Sequence, residues 1–357
     1  MKSLQLFGAM DLRTVELDMP SCGDDEVLVK TEICGLCGSD RPRLLAGEVP
    51  FFPSTLGHEF SARVVKTGKN VRSVKTGDLV AVVPLIVCHH CKNCRTGHYG
   101  QCETKQFIGL RVKDKGGFSE YNVLPEANVI KVPDGVEPWE AAMIEPISVA
   151  LHAMFRSGMK PGSDIAVIGA GTIGKLIIQS ARAMGAREIF VFDNVQSQLE
   201  DVKGKGADHC YNTSEEGYFE QYLRDTNRYG CPYVMEAVGI QPTVSLALKA
   251  AATNGNVALV GYLDKPLAFD PKEVRLILEN ELNLLGVWQS YDLDFPGDAF
   301  RLGLHYLEQG IYDTESMKDR IIHPDEILSA CEEWKIPGKI RGKIFVDFGD
   351  KCWTQHK

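Results

Sequence analysis

The chain has 357 residues, a formal net charge of −9 at pH 7 and a hydrophobic fraction of 44%. This length suggests two or three domains and excludes a small disulfide-stapled scaffold, and the ordinary composition excludes a disordered or fibrous chain. The acidic balance argues against nucleic acid or an anionic membrane as the main partner. The sequence has neither an apolar run long enough to span a membrane nor a secretory signal at its start, so we expect a cytoplasmic protein.

The first part of the chain, up to about residue 150, contains short runs of β-branched residues. Val27, Val29, Thr31 and Ile33 alternate along one such run, and Gly, Pro and Asp residues separate the runs. This pattern is typical of short strands. We therefore predict a β-rich domain here.

Two residues of this part, Cys37 in ICGLCGSD and His58 in LGHEF, are candidate metal ligands with too few local partners for a closed site. A catalytic zinc needs three protein ligands and one open position, and Glu59 or Glu145 could supply the third ligand. Each residue also has an ordinary explanation: a packed thiol, a hydrogen-bonded core histidine or a carboxylate at a helix start. The residues alone leave both interpretations open.

Four cysteines lie within one short loop. They are Cys88, Cys91, Cys94 and Cys102. Four thiolates at about 2.3 Å form the closed tetrahedron of a structural zinc, and such a site has no open position for chemistry. An iron–sulfur cluster uses related spacings, but usually with the fourth cysteine closer and beside a proline. His89 and His90 are alternative ligands, although four cysteines suffice.

Cys34 forms an upstream pair with Cys37, and the other five cysteines are scattered and predicted to be reduced packing residues. The five are Cys22, Cys210, Cys231, Cys331 and Cys352.

From Asp164 onward the pattern changes to strand, glycine turn, helix and strand, in IAVIGAGTIG, KLIIQSARAMGA and EIFVFD. The turn is a G-x-G-x-x-G motif whose helix N-terminus suits a pyrophosphate. It consists of Gly169, Ala170, Gly171, Thr172, Ile173 and Gly174. Asp193 follows Gly174 by 19 residues, where a carboxylate binds both ribose hydroxyls and repels a 2′-phosphate. This favours NAD over NADP; a plain turn and a surface aspartate are the alternative.

Further strands are predicted at Tyr233–Val238, Val257–Gly261 and Leu282–Val287, which completes a doubly wound parallel sheet over residues 151–287. The segment Leu282–Val287 is a candidate subunit contact at the sheet edge, with burial inside the sheet as the alternative. The tail contains a predicted helix near Phe300–Gln309 and a last strand at Lys343–Phe348.

Seven segments in this order resemble the zinc-dependent medium-chain dehydrogenase family over nearly the whole chain. They are CGLCGSD, GHEFSA, KTGDLVAVVP, the four-cysteine loop, GGFSEY, EPISVALHA and VIGAGTIG. Within that family, GLCGSDRPR, TLGHEFS, QFIGLR and IEPISVALHA are most similar to the polyol dehydrogenases. The resemblance implies an α/β protein in which a GroES-like β-rich catalytic domain, residues 1–150 and 288–357, surrounds a Rossmann NAD-binding domain, residues 151–287.

The resemblance also implies a catalytic zinc on Cys37, His58 and Glu145, with Glu59 beside it as a supporting group or exchanging ligand. With the four-cysteine loop, this makes two zinc ions per subunit, although the mixed donor set could hold other divalent ions. Ser39 then accepts the substrate proton. Pro42 replaces a histidine often found in this motif, so bulk water is the simplest proton exit beyond Ser39.

The implied reaction oxidises a secondary hydroxyl of a sugar alcohol or sugar alcohol phosphate with NAD. A phosphate needs a cation, and Arg43 and Arg111 are the candidates, with ordinary surface solvation as the alternative. Arabitol phosphate, sorbitol or a threonine-like compound are alternative small-molecule substrates, and a homodimer or homotetramer is expected. A non-catalytic NAD-binding or zinc-sensing regulator would predict a damaged catalytic set, whereas these residues are all present.

Overall fold

The computed structural model describes residues 1–263, 265–288, 290–336, 338–349 and 352–354. The chain divides into two compact units. The first comprises Met1–Ser148, Ser290–Gly310 and Lys318–Lys357, and the second comprises Val149–Gln289 and Ile311–Met317. Within the described ranges, no helix is both long and apolar enough to cross a membrane.

The first 157 residues contain short strands and short helices. The strands are β1 (Lys2–Gly8), β2 (Asp11–Glu16), β3 (Glu26–Gly35), β4 (Ser54–Thr55), β5 (Glu59–Thr67), β6 (Leu79–Val82), β7 (Leu85–Ile86), β8 (Gln106–Phe107), β9 (Tyr121–Pro125) and β10 (Val129–Lys131). The helices are α1 (Asp40–Ala46), α2 (Lys92–Arg95), α3 (Pro138–Ala141) and α4 (Ile144–Ser157).

The middle of the chain alternates strands and helices. The strands are β11 (Ile165–Ile168), β12 (Ile189–Asp193), β13 (His209–Asn212), β14 (Cys231–Glu236), β15 (Ala251–Leu259) and β16 (Asn283–Gly286). The helices are α5 (Thr172–Ala183), α6 (Gln196–Val202), α7 (Tyr218–Asp225), α8 (Gln241–Ala250) and α9 (Pro271–Glu279). The last part adds α10 (Asp298–Glu308), β17 (Lys318–Ile322), α11 (Ile327–Glu333) and β18 (Lys343–Asp347).

The first unit is built on a seven-stranded sheet in the order β10-β6-β5-β3-β18-β17, with β9 also pairing with β3. β3 is the central strand because it pairs with β5, β9 and β18, and its Val27, Val29 and Cys34 side chains are buried. The prediction of a β-rich first part is therefore confirmed. The last strand, β18, joins the same sheet although it is more than 300 residues away in sequence.

The second unit contains a six-stranded parallel sheet in the order β13-β12-β11-β14-β15-β16. Parallel sheets are covered on both faces, so their strands are continuously apolar, as the buried IAVI of β11 is. The predicted doubly wound sheet is confirmed. The predicted strands at Tyr233–Val238, Val257–Gly261 and Leu282–Val287 overlap β14, β15 and β16, with ends that differ by up to six residues.

Candidate metal and dinucleotide sites

The first donor set is assembled by the antiparallel pairing of β3 and β5. Gly35 at the end of β3 lies opposite Glu59 at the start of β5. Cys37 follows Gly35 by two residues and His58 directly precedes Glu59, so the pairing brings all three side chains together. One ligand atom from each of Cys37, His58 and Glu59 lies within 4.8 Å of the others.

The turn before His58 is held by close backbone packing. Gly57 has φ of +87°, and a Cβ there would lie 2.8 Å from the Cys34 sulfur. A Cβ on Gly109 would lie 2.1 Å from the Gly57 carbonyl oxygen. Larger residues would therefore displace the turn that carries His58. Phe107, two residues before Gly109, also packs its ring 5.5 Å from the His58 ring, centre to centre.

Asp40 lies fully buried behind His58. Its carboxylate accepts hydrogen bonds from the Cys37 backbone N–H at 3.1 Å and from the Arg43 guanidinium at 2.9 Å. The distance from Asp40 Oδ1 to His58 Nδ1 is 3.8 Å, which is too long for a hydrogen bond. Arg43 thus compensates the buried charge of Asp40, which in turn holds the Cys37 backbone.

Lys343 is a residue of this site that the sequence reasoning missed. Its ammonium group is buried, forms an ion pair with the Glu59 carboxylate and donates to the Leu36 carbonyl oxygen at 3.4 Å. Burial alone would lower the pKa of Lys343, but the facing charge of Glu59 raises it above its usual value. A lysine at the start of the apolar run KIFV was the available signal, although nothing local to it indicates Glu59 as the partner.

Glu145, in the first turn of α4, lies outside the set whose ligand atoms are within 4.8 Å of one another. Burial raises the pKa of Glu145 to about 7, the His58 charge opposes that rise, and Glu59 adds to it. These couplings place Glu145 in the same electrostatic environment as the donor set. The compact set thus contains Glu59, which is paired with Lys343, rather than Glu145.

The chemistry of this set fits a zinc ion. A thiol, an imidazole and a carboxylate are ligand types that zinc accepts. His58 Nδ1 is buried and has no hydrogen-bond partner among the described residues, and burial raises the pKa of the Cys37 thiol. A cation would relieve both penalties. Ser39 sits at the N-cap of α1, and its hydroxyl makes no hydrogen bond to the helix N-terminus.

The four-cysteine loop forms a second donor set. Ligand atoms of Cys88, Cys91, Cys94 and Cys102 lie within 4.8 Å of one another. The Cys88 sulfur is 3.8 Å from that of Cys94 and 3.6 Å from that of Cys102. Sulfurs bound tetrahedrally at about 2.3 Å from zinc are about 3.8 Å apart, so this loop also fits the ion.

Backbone amides stabilise thiolates in this loop. N–H groups of Cys91 and Cys94 point at the sulfurs of Cys88 and Cys91 at 3.3 and 3.5 Å. Backbone hydrogen bonds from His90 and Cys91 lower the pKa of Cys88 to about 5. His89 and His90 lie outside the group of four: the His89 ring packs on aromatic side chains, and His90 Nδ1 is 2.6 Å from the Cys88 carbonyl oxygen.

The dinucleotide motif lies between β11 and α5. Gly169 has φ of +95°, Gly171 is the N-cap of α5, and Thr172, Ile173 and Gly174 form its first turn. A Cβ on Gly174 would lie 1.8 Å from the Gly169 carbonyl oxygen, so this close approach of helix and strand requires glycine. The free N–H groups of the helix start suit a pyrophosphate.

Asp193 ends β12 next to this loop. Its carboxylate accepts hydrogen bonds from the backbone N–H groups of Ala170 at 2.7 Å and Val195 at 2.8 Å. The structure therefore brings Asp193 and the glycine loop together, at the carboxyl end of a parallel strand where dinucleotides bind. The aspartate both braces the loop and places negative charge beside it.

The two candidate phosphate-binding arginines have different surroundings. Arg43 is mostly buried and paired with Asp40, with 14% of its side chain exposed. Arg111 is exposed, and its backbone N–H donates to the Phe107 carbonyl oxygen at 2.7 Å. Arg111 thus belongs to the loop whose Phe107 and Gly109 pack against the His58 turn.

Comparison with known proteins agrees with these features. The family model for the alcohol dehydrogenase GroES-like domain matches residues 23–134, and the model for zinc-binding dehydrogenases matches residues 172–303. Galactitol 1-phosphate 5-dehydrogenase of Escherichia coli K12 is 38% identical over 287 residues, which are 80% of this chain and 82% of that protein. Sorbitol dehydrogenase of Bacillus subtilis is 32% identical over 321 residues, 89% of this chain and 88% of that protein.

The fold is shared as well. The crystal structure of galactitol-1-phosphate dehydrogenase from E. coli superposes with a TM-score of 0.91 at 33% identity, covering 97% of this chain and all of that one. A β-rich GroES-like unit and a Rossmann unit, together with these donor sets, define a zinc-binding dehydrogenase. The chain belongs to the zinc-dependent medium-chain alcohol and polyol dehydrogenase family.

Proposed function

We propose that this protein oxidises a secondary hydroxyl of a sugar alcohol phosphate to a ketone and transfers the hydride to NAD, with galactitol 1-phosphate as the candidate substrate. The similarity to galactitol 1-phosphate 5-dehydrogenase supports the substrate class. The close approach of Cys37, His58 and Glu59 carries the proposal, because a metal ion held at this place would polarise a substrate oxygen.

Three side chains would hold the catalytic metal in this proposal: Cys37, His58 and Glu145. Zinc bound there would lower the pKa of the substrate hydroxyl, and NAD would accept the hydride. Lys343 supports the choice of Glu145, because its ion pair keeps the Glu59 carboxylate engaged. Glu59 is proposed to lie beside the metal as a supporting or exchanging group.

Ser39 would accept the hydroxyl proton. It is two residues from Cys37, and its oxygen is not used in capping α1. The alcohol loses one hydride from carbon and one proton from oxygen, and the products are a ketone, NADH and a proton. With Pro42 in place of a histidine, the proton leaves Ser39 for bulk water.

NAD is the proposed cofactor rather than NADP. Gly169, Gly171, Thr172, Ile173 and Gly174 would cradle its pyrophosphate. Asp193 supports the choice, because its carboxylate at the end of β12 would repel a 2′-phosphate on the adenosine ribose. The four-cysteine loop would hold a second, structural zinc.

At least one of Arg43 and Arg111 is proposed to contact the substrate phosphate, and their surroundings differ. Arg43 already compensates Asp40, so its replacement would disturb the metal site as well as any phosphate contact. Arg111 lies on the loop packed against the His58 turn, and its side chain is exposed. Arg111 is therefore the cleaner probe.

Formation of NADH with galactitol 1-phosphate, galactitol, arabitol phosphate, sorbitol and threonine tests the function. We expect turnover of galactitol 1-phosphate with NAD and a kcat/KM at least about tenfold lower for galactitol, because one charged contact is lost. Arg111→Ala should lower kcat/KM for the phosphorylated substrate and leave that for galactitol unchanged. Equal kcat/KM for both substrates in the parent enzyme would overturn the phosphate proposal.

A second candidate is an unphosphorylated polyol such as sorbitol. The similarity to the B. subtilis sorbitol dehydrogenase favours it, and the metal and cofactor chemistry would be the same. The same panel separates the two candidates. No turnover of any of these compounds by enzyme loaded with zinc would overturn the dehydrogenase proposal as a whole and favour a regulator on this fold.

The proposal keeps residues 1–150 and 288–357 as the catalytic domain and residues 151–287 as the NAD-binding domain. It also includes a homodimer or homotetramer. The strand β16 is last in the order of the parallel sheet, and its Leu284 is 36% exposed. Pairing of β16 with that of a second copy would cover this edge. The molecular mass in solution of the parent protein and of Leu284→Lys tests this contact. If both proteins have the mass of a monomer, the contact is refuted.

A further inference from the structure

Glu236 is a buried carboxylate in the parallel sheet, apart from both donor sets. It is the last residue of β14, is completely buried and lies between Ile168 of β11 and Leu259 of β15. Its Oε1 accepts hydrogen bonds from the backbone N–H groups of Val238 at 2.9 Å and Gly239 at 2.8 Å. Burying a carboxylate is costly, so its presence at this position needs a reason.

The backbone of the same residue holds a second turn. The Glu236 carbonyl oxygen accepts hydrogen bonds from the N–H groups of Val260 at 2.8 Å and Gly261 at 2.9 Å. A Cβ on Gly239 would lie 2.6 Å from the Tyr262 carbonyl oxygen, so the turns after β14 and β15 are in direct backbone contact. Glu236 therefore fixes both turns at the carboxyl edge of the sheet.

The turn after β14 packs on the glycine loop. The Ala237 N–H donates to the Ile168 carbonyl oxygen at 2.9 Å, directly before Gly169. A Cβ on Gly169 would lie 2.5 Å from Val238 Cγ2, which shows how closely the Val238 side chain approaches the loop. The position of the glycine loop thus depends on the turn that the Glu236 carboxylate holds.

We propose that Glu236 is a positioning residue for the nicotinamide dinucleotide: its carboxylate holds the turn of Ala237, Val238 and Gly239 against Gly169, and so keeps the glycine loop in the shape that binds the pyrophosphate. The inference rests on the proposed function only in its choice of cofactor. Dinucleotides bind at the carboxyl ends of parallel strands, and Glu236 ties two of those ends together. Glu236 itself does not contact the cofactor in this proposal.

The experiment measures NADH affinity by fluorescence titration of the full-length, zinc-loaded protein. Glu236→Leu removes the acceptor of two N–H groups, and we expect the Kd for NADH to rise about tenfold or more. Glu236→Gln keeps an acceptor oxygen, so its Kd should stay within about threefold of the parent value. Zinc content should be unchanged in both variants.

Glu126 provides a control that shares the hydrogen-bond pattern of Glu236 at a half-buried position. Its carboxylate also accepts two consecutive backbone N–H groups, those of Arg72 at 2.7 Å and Ser73 at 2.6 Å, but in the first unit. Glu126→Leu should lower the melting temperature and leave the Kd for NADH unchanged. A Kd that rises as much in Glu126→Leu as in Glu236→Leu would show a general loss of stability and overturn the inference.

The remaining outcomes are distinct. An unchanged Kd in Glu236→Leu, beside a lowered melting temperature, means a merely structural role and overturns the inference alone. If Glu236→Leu does not fold, Glu236→Asp replaces it, because this variant retains the carboxyl group and withdraws it by one methylene. A Kd for NADH that is higher in Glu236→Asp than in the parent then supports the inference. A Kd equal to that of the parent overturns it. Absence of NADH binding by the parent protein overturns the proposed cofactor together with this inference.

Discussion

The two donor sets of the first unit are built in opposite ways. The four-cysteine loop gathers its sulfurs from residues 88–102, whereas the Cys37 set draws on β3, β5 and the strand β18 that carries Lys343. The loop offers four like ligands, which leave a zinc ion no open position. The Cys37 set combines a thiol, an imidazole and a carboxylate. A local site suits a structural metal, and an assembled one suits catalysis.

The surroundings of the thiols, and therefore their pKa values, also differ between the two sets. In the loop, backbone N–H groups lower the pKa of Cys88 to about 5, so its thiolate is available before any metal binds, whereas burial raises the pKa of Cys94 to about 12. At Cys37, burial raises the pKa of the thiol, so binding a metal there must displace a proton from a poorly solvated group. We therefore expect metal binding by the Cys37 set to depend on the charged residues around it. Metal binding by the four-cysteine loop should depend on the residues of the loop alone.

Replacement of Cys37 should have the largest effect. Cys37→Ser removes a ligand of the assembled set, and kcat/KM should fall about 1000-fold or more, because the polarising metal supplies several kcal/mol. Metal analysis should show one equivalent of zinc less than in the parent, with little change in melting temperature. Cys34→Ala is the control: Cys34 is buried three residues earlier, lies outside the donor set and should keep full zinc. Equal zinc loss in Cys37→Ser and Cys34→Ala would contradict the assignment of Cys37, rather than Cys34, as a metal ligand.

Lys343→Met should have the next largest effect. Without the ammonium group, the Glu59 carboxylate is free to occupy the open metal position, and activity should fall about 10- to 100-fold while zinc content is retained. Retained zinc distinguishes this variant from Cys37→Ser. Lys115→Met is the control, since Lys115 is a half-buried lysine of the same unit that donates to the Val123 carbonyl oxygen. Parent activity in Lys343→Met would contradict the role assigned to the ion pair.

Cys94→Ser should affect stability more than activity. The loop loses one sulfur ligand and its zinc, and the free energy of unfolding should fall by more than about 3 kcal/mol, because metal binding stabilises the folded loop. The kcat of the protein that remains folded should stay within about threefold of the parent value. Thermal melting and activity per folded molecule measure the two effects. A kcat as low as that of Cys37→Ser would mean that the sets are not separable.

The smallest effect is expected for His90→Ala. His90 lies between two cysteines of the loop, but its ring contacts the Cys88 carbonyl oxygen and lies outside the group of four sulfurs. Zinc content and kcat should both equal those of the parent. The free energy of unfolding should change by no more than about 0.5 kcal/mol, as is usual for a surface substitution. Loss of one zinc in this variant would make His90 a ligand of the loop.

Much of the fold could be predicted from short stretches of the sequence. The apolar runs at β11 and β12, the glycine turn between β11 and α5, and the change from β-rich to alternating pattern near residue 150 are all properties of short windows. Strand ends were less accurate: β15 begins at Ala251, six residues before the predicted start at Val257. The small and polar residues at its beginning carry no apolar alternation, and pairing with β14 alone extends the strand.

The sites divide in the same manner. Spacing alone placed the four cysteines of the loop and the glycines with Asp193, since each set is confined to one local motif. Spacing could not join Cys37 to His58, and that step came from the resemblance of several motifs to one family. Neither route indicated that Lys343 pairs with Glu59 or that the Glu236 carbonyl oxygen binds the turn after β15, because both contacts depend on neighbouring strands of a sheet.

The sequence by itself therefore determined the local features of this protein: the four-cysteine loop, the glycine turn, the carboxylate at the end of β12 and the α/β class. These follow from short-range geometry and residue chemistry. Only the tertiary structure decided which charges distant in sequence face one another, as Lys343 and Glu59 do. Long-range pairs of this kind are set by strand order and register, and here the central strand β3 makes them by joining segments at both ends of the chain.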